Sequence, residues 1–264
     1  FIDTADIDEI EQFYEFGIAD GVTTNPSLMK KAVDKRKASG EKLNLKSYIS
    51  KILKIAKGTP VSLEVTETTA EGMIEQGKKL FKLFNPVAQN VYIKIPVNPA
   101  FTDKDITQFD GIEATKALSK EKIPINCTLI FTPEQALLAA KAGAAFVSPF
   151  AGRIDDYIRA ENKIKFDKKD YYPADGMDNK KGILNDRGIV SGIELVGQCV
   201  TILRKYDLKT EVLAASLRNS RQVREAAVVG ADICTLPFSV LVKMIKHKKT
   251  FEGMRKFTDD IVPE

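Results

Sequence analysis

The sequence predicts a single-domain α/β protein built as a (β/α)8 TIM barrel. Short apolar, strand-like runs alternate with helix-prone stretches from end to end, and eight such pairs can be counted. A length of 264 residues suits one barrel of this kind. Because periodicity cannot show whether a parallel sheet closes, an open doubly wound sheet remains the alternative.

The predicted strands are, in order, FIDT, GVTT, VSLEVT, VYIKIPV, INCTLIF, AFVSPFA, EVLAAS and DICTLPF. The predicted helices cover residues 6–16, 26–37 with 45–57, 69–83, 111–120, 133–142, 191–205 and 220–229, and helical residues follow from 240. Residues at the helix ends agree with these bounds. Pro26 and Pro133 stand in first turns, where proline is favoured, and Gly143 and Gly230 stand where helices should end.

Two segments interrupt the alternation. Residues 98–109 lengthen the loop after the fourth strand, and the charged segment 155–188 follows the sixth strand. Loops that follow strands lie on the catalytic face of such a barrel, so 155–188 is a candidate lid or substrate rim. A surface excursion or a subunit contact is the simpler alternative. No low-complexity linker divides the chain, and the prediction is one domain over residues 1–264.

Composition argues against several classes of partner. The net charge is +4 without a basic arm, so nothing indicates nucleic-acid binding. There is no apolar run of bilayer-spanning length, and the acidic start FIDTADIDEI does not have the pattern of a targeting signal. Cys127, Cys199 and Cys234 are odd in number and far apart, as expected of core thiols in a reducing compartment. We therefore expect a cytoplasmic protein without a membrane partner.

The scarcity of histidine restricts the chemistry. His247 is the single histidine, and it stands in a lysine-rich segment near the C-terminus. A histidine-based metal site or a serine–histidine relay is therefore not expected. No P-loop or GxGxxG fingerprint is present, so we predict neither a metal nor an organic cofactor. Acid–base steps would then fall to carboxylates, lysine, tyrosine or water.

Lys94 occupies the middle of the apolar strand NVYIKIPVNP, residues 90–99. Lysine is almost never fully buried without a partner, because removing its ammonium group from water is costly. One interpretation is a solvent-facing lysine on an edge strand. The other is a desolvated amine that acts as a nucleophile. The strand alone favours the first interpretation.

Polar residues collect at the ends of seven of the eight predicted strands, whereas barrel interiors are normally filled by Val, Ile and Leu. Taken one at a time, these residues also have structural explanations: Asp3 and Ser216 could cap helices, Asn25 could be a turn residue, and Glu64 could be a structural ion-pair partner of Lys94. Asn126 and Thr128 could satisfy each other. Together, however, they predict a site. Its members are Asp3, Asn25, Glu64, Lys94, Asn126, Thr128, Ser148, Phe150, Arg153, Ser216 and Arg218.

This set supports amine chemistry on a carbonyl substrate. A neutral Lys94 could attack a ketone, and Glu64 with Thr128 could hold the water that the adduct must lose. The resulting iminium is an electron sink, so an adjacent C–C bond can break when a base takes a hydroxyl proton. Asp3 is the candidate base.

The remaining members predict substrate binding. Asn25, Asn126 and Ser148 would bind hydroxyls beside the Schiff base. Arg153 and Arg218 with Ser216 would bind a phosphate group, because guanidinium groups pair bidentately with phosphate oxygens. We therefore expect phosphorylated sugars as substrates.

Seven segments resemble the signature segments of transaldolases, in the same order along nearly the whole chain. They are FIDTAD, GVTTNPSL, VSLEV, VYIKIP, INCTLIF, AGAAFVSPFAGRIDDY and AASLRN. The resemblance implies a class I aldolase-type barrel with Lys94 as the Schiff-base residue, and it gives the other residues the roles above. It also implies a homo-oligomer, with the pentamer-based decamer of short-chain members as one form.

The activity implied is transfer of a dihydroxyacetone unit in the non-oxidative pentose phosphate pathway. Donors would be fructose 6-phosphate or sedoheptulose 7-phosphate, and acceptors erythrose 4-phosphate or glyceraldehyde 3-phosphate. The related fructose-6-phosphate aldolases, which release dihydroxyacetone, typically carry Gln and Tyr at the positions of Glu64 and Phe150. That lyase activity is the alternative. A non-catalytic sugar-phosphate binding protein is a third hypothesis.

Overall fold

The computed structural model describes residues 1–180 and 182–261. Residue 181 of the predicted excursion and residues 262–264 of the predicted domain lie outside this description. Ten strands occur in the described part: β1 Ile2–Asp3, β2 Val22–Thr23, β3 Val61–Glu64, β4 Val91–Pro96, β5 Ile125–Ile130, β6 Phe146–Pro149, β7 Asp178–Asn179, β8 Gly182–Ile183, β9 Glu211–Ala214 and β10 Ile233–Cys234.

Eight of these strands form one parallel sheet in the order β1-β2-β3-β4-β5-β6-β9-β10. The sheet closes on itself, because the Asp3 amide donates to the Leu236 carbonyl at 2.8 Å and the Leu236 amide donates to the Phe1 carbonyl at 3.1 Å. The predicted (β/α)8 barrel is therefore confirmed, and the open-sheet alternative is wrong. The strand-like runs became barrel strands because their apolar residues are buried on both sides of the sheet.

The described helices are α1 Ile7–Glu15, α2 Pro26–Ala38, α3 Leu45–Ile55, α4 Ala70–Ala88, α5 Asp110–Lys120, α6 Pro133–Ala142, α7 Ala151–Glu161, α8 Gly192–Lys205, α9 Ser220–Val228, α10 Phe238–Met244 and α11 Lys248–Asp259. Most predicted helices agree to within two residues. The predicted end of α4 at residue 83 is too early, since the helix continues past Pro86 to a left-handed Gln89.

The predicted excursion 155–188 starts too early as well. Residues 155–161 belong to α7, whose buried Ala151, Ile154 and Ile158 follow helical spacing. The charged residues between them hid this apolar face from the sequence argument. Among the described residues, the irregular segment therefore covers 162–180 and 182–190, called segment 162–190 below, and it contains the antiparallel pair β7–β8.

Segment 162–190 packs against the barrel. Tyr172, Leu184 and Ile189 are buried within the apolar cluster beneath it. The buried Arg159 of α7 donates to the Asp170 carbonyl at 3.0 Å, and its guanidinium lies 4.9 Å from the Tyr172 ring centre. The segment is thus attached to α7 rather than projecting freely into solvent.

Segment 98–109 remains at the surface and ends in a 3₁₀ helix, Ile106–Phe109. Phe101 and Ile106 are strongly exposed. Across residues 1–180 and 182–261, no helix combines the length and the apolar character that crossing a bilayer would require.

Candidate active site

Lys94 and Glu64 form a buried pair in the barrel interior. They are register partners on the adjacent strands β3 and β4. Lys94 is 5% exposed, and its Nζ lies 3.2 Å from Glu64 Oε2 and donates to the Thr24 carbonyl at 3.2 Å. Because β4 lies between β3 and β5, the edge-strand interpretation of Lys94 is wrong.

The contact between the two side chains is electrostatic rather than a well-aligned hydrogen bond. The buried Glu64 Oε2 makes no hydrogen bond to any described residue. The same holds for the buried hydroxyl of Thr128, on the strand beyond Lys94. A buried polar atom without a partner is costly unless a water or ligand meets it. Two such atoms near one buried amine mark a place where a polar ligand or water fits.

A cavity of about 110 Å³ opens at the carboxyl ends of the strands, where active sites of such barrels lie. Nine of the eleven predicted site residues line it; Glu64 and Arg218 do not. Its lining consists of Asp3, Thr23, Asn25, Lys94, Asn126, Thr128, Ser148, Phe150, Arg153, Leu213, Ala215, Ser216 and Thr235. Side-chain alternation along the strands therefore predicted correctly that most of these residues line one cavity.

Asp3 presents a carboxylate with a perturbed pKa to this cavity. Burial raises the pKa of Asp3, and this is opposed by the Thr23 hydroxyl, which donates to Oδ1 at 2.7 Å, and by the charges of Lys94 and Arg153. Asp6, not Asp3, caps α1, so the capping explanation for Asp3 is wrong. A carboxyl group whose pKa lies above its ordinary value is better suited to exchange protons near neutral pH.

Asn126 stands at the centre of a buried hydrogen-bond chain. Its Nδ2 donates to the Ser62 hydroxyl at 3.0 Å, and its Oδ1 accepts from the Ser148 hydroxyl at 2.6 Å. The suggestion that Asn126 and Thr128 satisfy each other is therefore wrong. Both Asn126 and Ser148 are oriented by protein partners and keep further capacity for ligand hydroxyls.

Asn25 has a structural role that leaves room for another. Its Oδ1 accepts from the Leu28 amide at 2.9 Å and caps α2, as expected before Pro26. Its Nδ2 group is not part of the cap. Asn25 also lines a larger cavity of about 520 Å³, whose walls come from α2, α3, β3 and α4. Glu64 lines this second cavity, whereas its partner Lys94 lines the small one.

Phe150 and Arg153 lie together at the start of α7. The Arg153 guanidinium lies 4.8 Å from the centre of the Phe150 ring, and the Phe131 ring packs on Phe150 at 5.8 Å. Arg153 is exposed at the rim of the cavity. A cation held on an aromatic face at a rim can still turn its N–H groups toward an anion.

Arg218 is paired outside the cavity. Its Nη1 and Nη2 donate to the two Asp156 carboxylate oxygens at 2.5 and 2.6 Å, and Nη1 also donates to the Lys168 carbonyl at 3.2 Å. The predicted clamp of Arg153 and Arg218 around Ser216 is thus not assembled on one cavity wall.

The backbone near Arg218 is tightly constrained. Ser216 has a φ of +61°, a left-handed conformation that is uncommon for a residue with a side chain. A Cβ at Gly152 would lie 2.3 Å from the Ser216 carbonyl oxygen and 2.9 Å from Arg218 Nε. The absence of a side chain at Gly152 is what allows α7 to approach this loop.

Sequence reasoning missed four residues that support the site. Ser62 and Thr23 stand two positions before Glu64 and Asn25, so the same alternation rule would have found them. Thr235 shares a hydrogen bond with Thr23 at 2.6 Å, across 212 positions of the chain. Asp156 pairs with Arg218 across 62 positions. No local pattern indicates either of these long-range pairs.

No metal centre is indicated by the residues described. Within 1–180 and 182–261, no cluster of three or more His, Cys, Asp or Glu side chains has an arrangement suited to an ion.

The closed barrel carries a lysine-lined cavity at the carboxyl ends of its strands, and the family match that follows makes it an α/β-barrel enzyme of the aldolase/transferase type. The chain belongs to the transaldolase/fructose-6-phosphate aldolase family, whose model matches residues 1–262.

Curated relatives support this placement. A probable transaldolase of Thermoplasma acidophilum is 42% identical over 260 residues, covering 98% of this chain and 93% of the relative. One of Desulfatibacillum aliphaticivorans is 43% identical, covering 98% and 96%. One of Aquifex aeolicus is 39% identical, covering 98% and 94%. A solved mandelate oxidase variant aligns with a TM-score of 0.48 and 13% identity over 95% of this chain and 65% of its own, too weak a likeness to bear on function.

Proposed function

We propose that this protein is a transaldolase that moves a dihydroxyacetone unit between sugar phosphates through a Schiff base on Lys94. Donors are fructose 6-phosphate or sedoheptulose 7-phosphate, and acceptors are erythrose 4-phosphate or glyceraldehyde 3-phosphate, as in the non-oxidative pentose phosphate pathway. The observation that carries the proposal is the buried Lys94 amine beside Glu64, at the wall of a cavity lined with hydroxyl and amide groups.

The first half of the reaction forms the Schiff base. Glu64 accepts the proton that Lys94 must lose before it can react, and the 3.2 Å distance between Glu64 Oε2 and Lys94 Nζ supports this role. The neutral amine then attacks the ketone carbon of the donor. The adduct loses its oxygen as water, for which the unpartnered Thr128 hydroxyl and Glu64 Oε2 are the available hydrogen-bonding groups.

The second half breaks and remakes a C–C bond. Asp3 takes the proton of the hydroxyl on the far carbon of the bond that breaks, that carbon becomes the aldehyde carbon, and the bonding electrons move into the iminium to give an enamine on Lys94. The aldehyde product leaves. The enamine carbon then attacks the acceptor aldehyde, Asp3 returns the proton, and water releases the new ketose. Burial of Asp3, which raises its pKa, supports this role.

Transfer rather than release is supported by Phe150. Its ring lines the cavity next to Arg153 and has no proton to donate. A tyrosine hydroxyl at this place could assist hydrolysis of the Schiff base, and phenylalanine cannot. The enamine would then persist until an acceptor aldehyde arrives. Fructose-6-phosphate aldolase activity is the second candidate function, favoured only by the shared scaffold.

The deciding experiment is reductive trapping. The protein is incubated with fructose 6-phosphate and borohydride, and the peptides are examined by mass spectrometry. We expect a reduced three-carbon adduct on Lys94 and none in Lys94→Arg. Lys209→Arg, which alters a lysine on the protein surface, is the matched control and should be labelled like the wild type. Absence of the Lys94 adduct would overturn both enzyme hypotheses and favour a non-catalytic binding protein.

A second arm separates transfer from cleavage. Fructose 6-phosphate is supplied alone or with erythrose 4-phosphate, and glyceraldehyde 3-phosphate is measured. We expect turnover only with the acceptor. Release at a similar rate without acceptor would replace the transferase proposal by the lyase.

We also propose a homo-oligomer in the cytoplasm. Helix α11 has no buried residue, and its Phe251, Met254 and Phe257 are exposed, which supports burial against another copy. The three cysteines are free, and burial raises the pKa of the Cys127 and Cys199 thiols to about 12, as suits structural thiols. Light scattering coupled to size exclusion tests the assembly, and a monomer would contradict it.

A further inference from the structure

Asp155 is a buried acidic residue that the proposed reaction does not use. It lies on α7, is 2% exposed, and does not line the cavity. Its Oδ1 accepts from the Gly192 amide at 2.7 Å, and its Oδ2 accepts from Gln222 Nε2 at 2.8 Å. A carboxylate with both oxygens occupied by buried donors is costly to desolvate, so its presence needs a reason beyond packing.

Gln222 connects Asp155 to the loop after β9. Gln222 is itself 2% exposed, and its Oε1 accepts from the Arg218 backbone amide at 2.8 Å. Meanwhile the neighbouring residue of α7, Asp156, holds the Arg218 guanidinium. Helix α7 therefore fixes Arg218 twice, by the side chain through Asp156 and by the backbone through Asp155 and Gln222.

We propose that Asp155 and Gln222 are positioning residues for the phosphate-binding loop, residues 216–218, and so determine affinity for phosphorylated substrates. This inference rests on the proposed function, since that function assigns the loop its anion. The same carboxylate also holds Gly192 at the start of α8, so it ties the end of segment 162–190 to the loop. Neither residue touches the reacting atoms.

The direction of the hydrogen bonds requires two acceptor oxygens at position 155. Both Asp155 oxygens accept, Gln222 donates to one of them and accepts in turn, and the Arg218 amide donates. An asparagine at 155 would accept from Gly192 but turn an N–H toward Gln222. Whichever way the Gln222 amide then rotates, one donor faces another, and the Arg218 amide can lose its acceptor.

The same logic predicts a rescue. In Asp155→Asn combined with Gln222→Glu, the new asparagine donates to one oxygen of the new carboxylate. The other oxygen accepts from the Arg218 amide. Charge and bond direction are both restored with the two residue types exchanged. In Gln222→Glu alone, two carboxylates face each other in a buried place, so this single variant should be impaired.

The experiment measures four proteins at pH 8, where Asp155 is ionised, each as the full chain, with fructose 6-phosphate and with fructose as donors. Asp155→Asn and Gln222→Glu should each raise the KM for fructose 6-phosphate about tenfold while kcat changes less than about threefold. The double variant should return to within about threefold of the wild type. With fructose, which carries no phosphate, all four should be alike.

A control and a second readout separate positioning from general destabilisation. Thr210→Val removes a buried hydrogen bond, Thr210 Oγ1 to the Ala144 carbonyl at 2.7 Å, just before β9 at the opposite end of the barrel. It should leave both KM values unchanged. Hydrogen exchange of residues 214–222, measured by mass spectrometry, should accelerate in the single variants and recover in the double one. If Asp155→Asn folds poorly, Gln222→Leu can be used instead, because it removes the acceptor of the Arg218 backbone amide directly.

Three results would each overturn the inference: equal losses with both donors, single variants without change in KM and exchange, or a double variant that recovers neither readout. If the wild type forms no adduct on Lys94, the proposed function fails instead. The exchange measurement, with inorganic phosphate as the added anion, then still tests the link between Asp155 and the loop.

Discussion

Two charged pairs lie on opposite sides of the barrel mouth, and they differ in how completely each is satisfied. Lys94 and Glu64 approach to 3.2 Å, but Glu64 Oε2 makes no hydrogen bond to a described residue. Arg218 and Asp156 form a two-bond fork at 2.5 and 2.6 Å, reinforced by the Lys168 carbonyl. We call Lys94–Glu64 the open pair, because one carboxylate oxygen lacks a hydrogen bond, and Arg218–Asp156 the closed pair, because both carboxylate oxygens are bonded.

The difference agrees with the roles proposed for the two pairs. A nucleophile has to give up a proton and form a new bond, so an incompletely bonded carboxylate beside it leaves the amine available. An anion-binding group works best when its geometry is fixed before the ligand arrives, because no ordering is then required on binding. Arg218 uses two N–H groups on Asp156 and a third on the Lys168 carbonyl, which leaves two of its five for the proposed phosphate.

The largest effect is expected from removing the open pair's amine. Lys94→Arg should lower turnover by on the order of 10⁴-fold or more, because a guanidinium stays protonated and cannot form an imine. Turnover is measured with fructose 6-phosphate and erythrose 4-phosphate, and circular dichroism checks the fold. Turnover within tenfold of the wild type would show that the amine is not the nucleophile.

Removing only the charge of the open pair should have the next largest effect. Glu64→Gln keeps the shape but cannot accept the Lys94 proton, so we expect kcat to fall on the order of 10²-fold with little change in KM. Gln76→Glu, on α4 outside the small cavity, is the control for altered charge nearby. An unchanged kcat would mean that another base serves Lys94.

The closed pair should affect binding rather than chemistry. Arg218→Ala removes a charge-assisted phosphate contact and should raise the KM for fructose 6-phosphate by about 50-fold, with much less effect on fructose. Steady-state kinetics with both donors decides. Equal losses on both would show that the phosphate assignment is wrong.

Asp155 lies next to Asp156 on α7, and its ionisation should make the stability of the folded chain depend on pH. Burial raises the pKa of Asp155 from 3.8 to about 7, against the hydrogen bonds it accepts and nearby arginine charges. Between these values the folded chain retains a proton that the unfolded chain has released. The folded state therefore loses stability as the pH rises toward 7, and above 7 the loss is complete. From pH 5 to pH 7 it amounts to on the order of 2 kcal/mol.

Urea unfolding at pH 5, 6, 7 and 8, at one protein concentration, measures this slope. Asp155→Asn should flatten it, whereas Asp178→Asn, which changes an exposed carboxylate, should not. Parallel slopes in all three proteins would show that Asp155 titrates near its ordinary value.

The smallest effect is expected at Asp156. Asp156→Asn replaces a charged fork by a weaker contact, so Arg218 is less well fixed and the KM for fructose 6-phosphate should rise about threefold. Affinity for fructose should not change. A fall in KM would instead mean that Asp156 competes with the phosphate for Arg218.

Local rules predicted the barrel and much of its mouth. Strand alternation placed Lys94, Asn126 and Ser148 on one cavity, because side-chain direction along a strand depends only on position. The same rule could not predict that Arg218 would turn to Asp156, since the end of a long side chain is decided by a partner 62 positions away. The roles of these residues remain predictions.

The start of α7 was missed for a related reason. Ala151, Ile154 and Ile158 carry the helical spacing, but the charged residues among them resemble a surface loop. From the sequence alone, Asp155 and Arg159 would be expected at the surface, yet both are buried. Burial of a charge depends on partners from distant segments, which no local pattern shows.

The contact of Gly152 with the Ser216 carbonyl has a consequence for mutational libraries. Even a methyl group at 152 would fall 2.3 Å from that oxygen, so any replacement must displace the backbone of residues 216–218. Selection for altered donor size should therefore leave 152 invariant, and variants at 152 should survive only together with changes at 216.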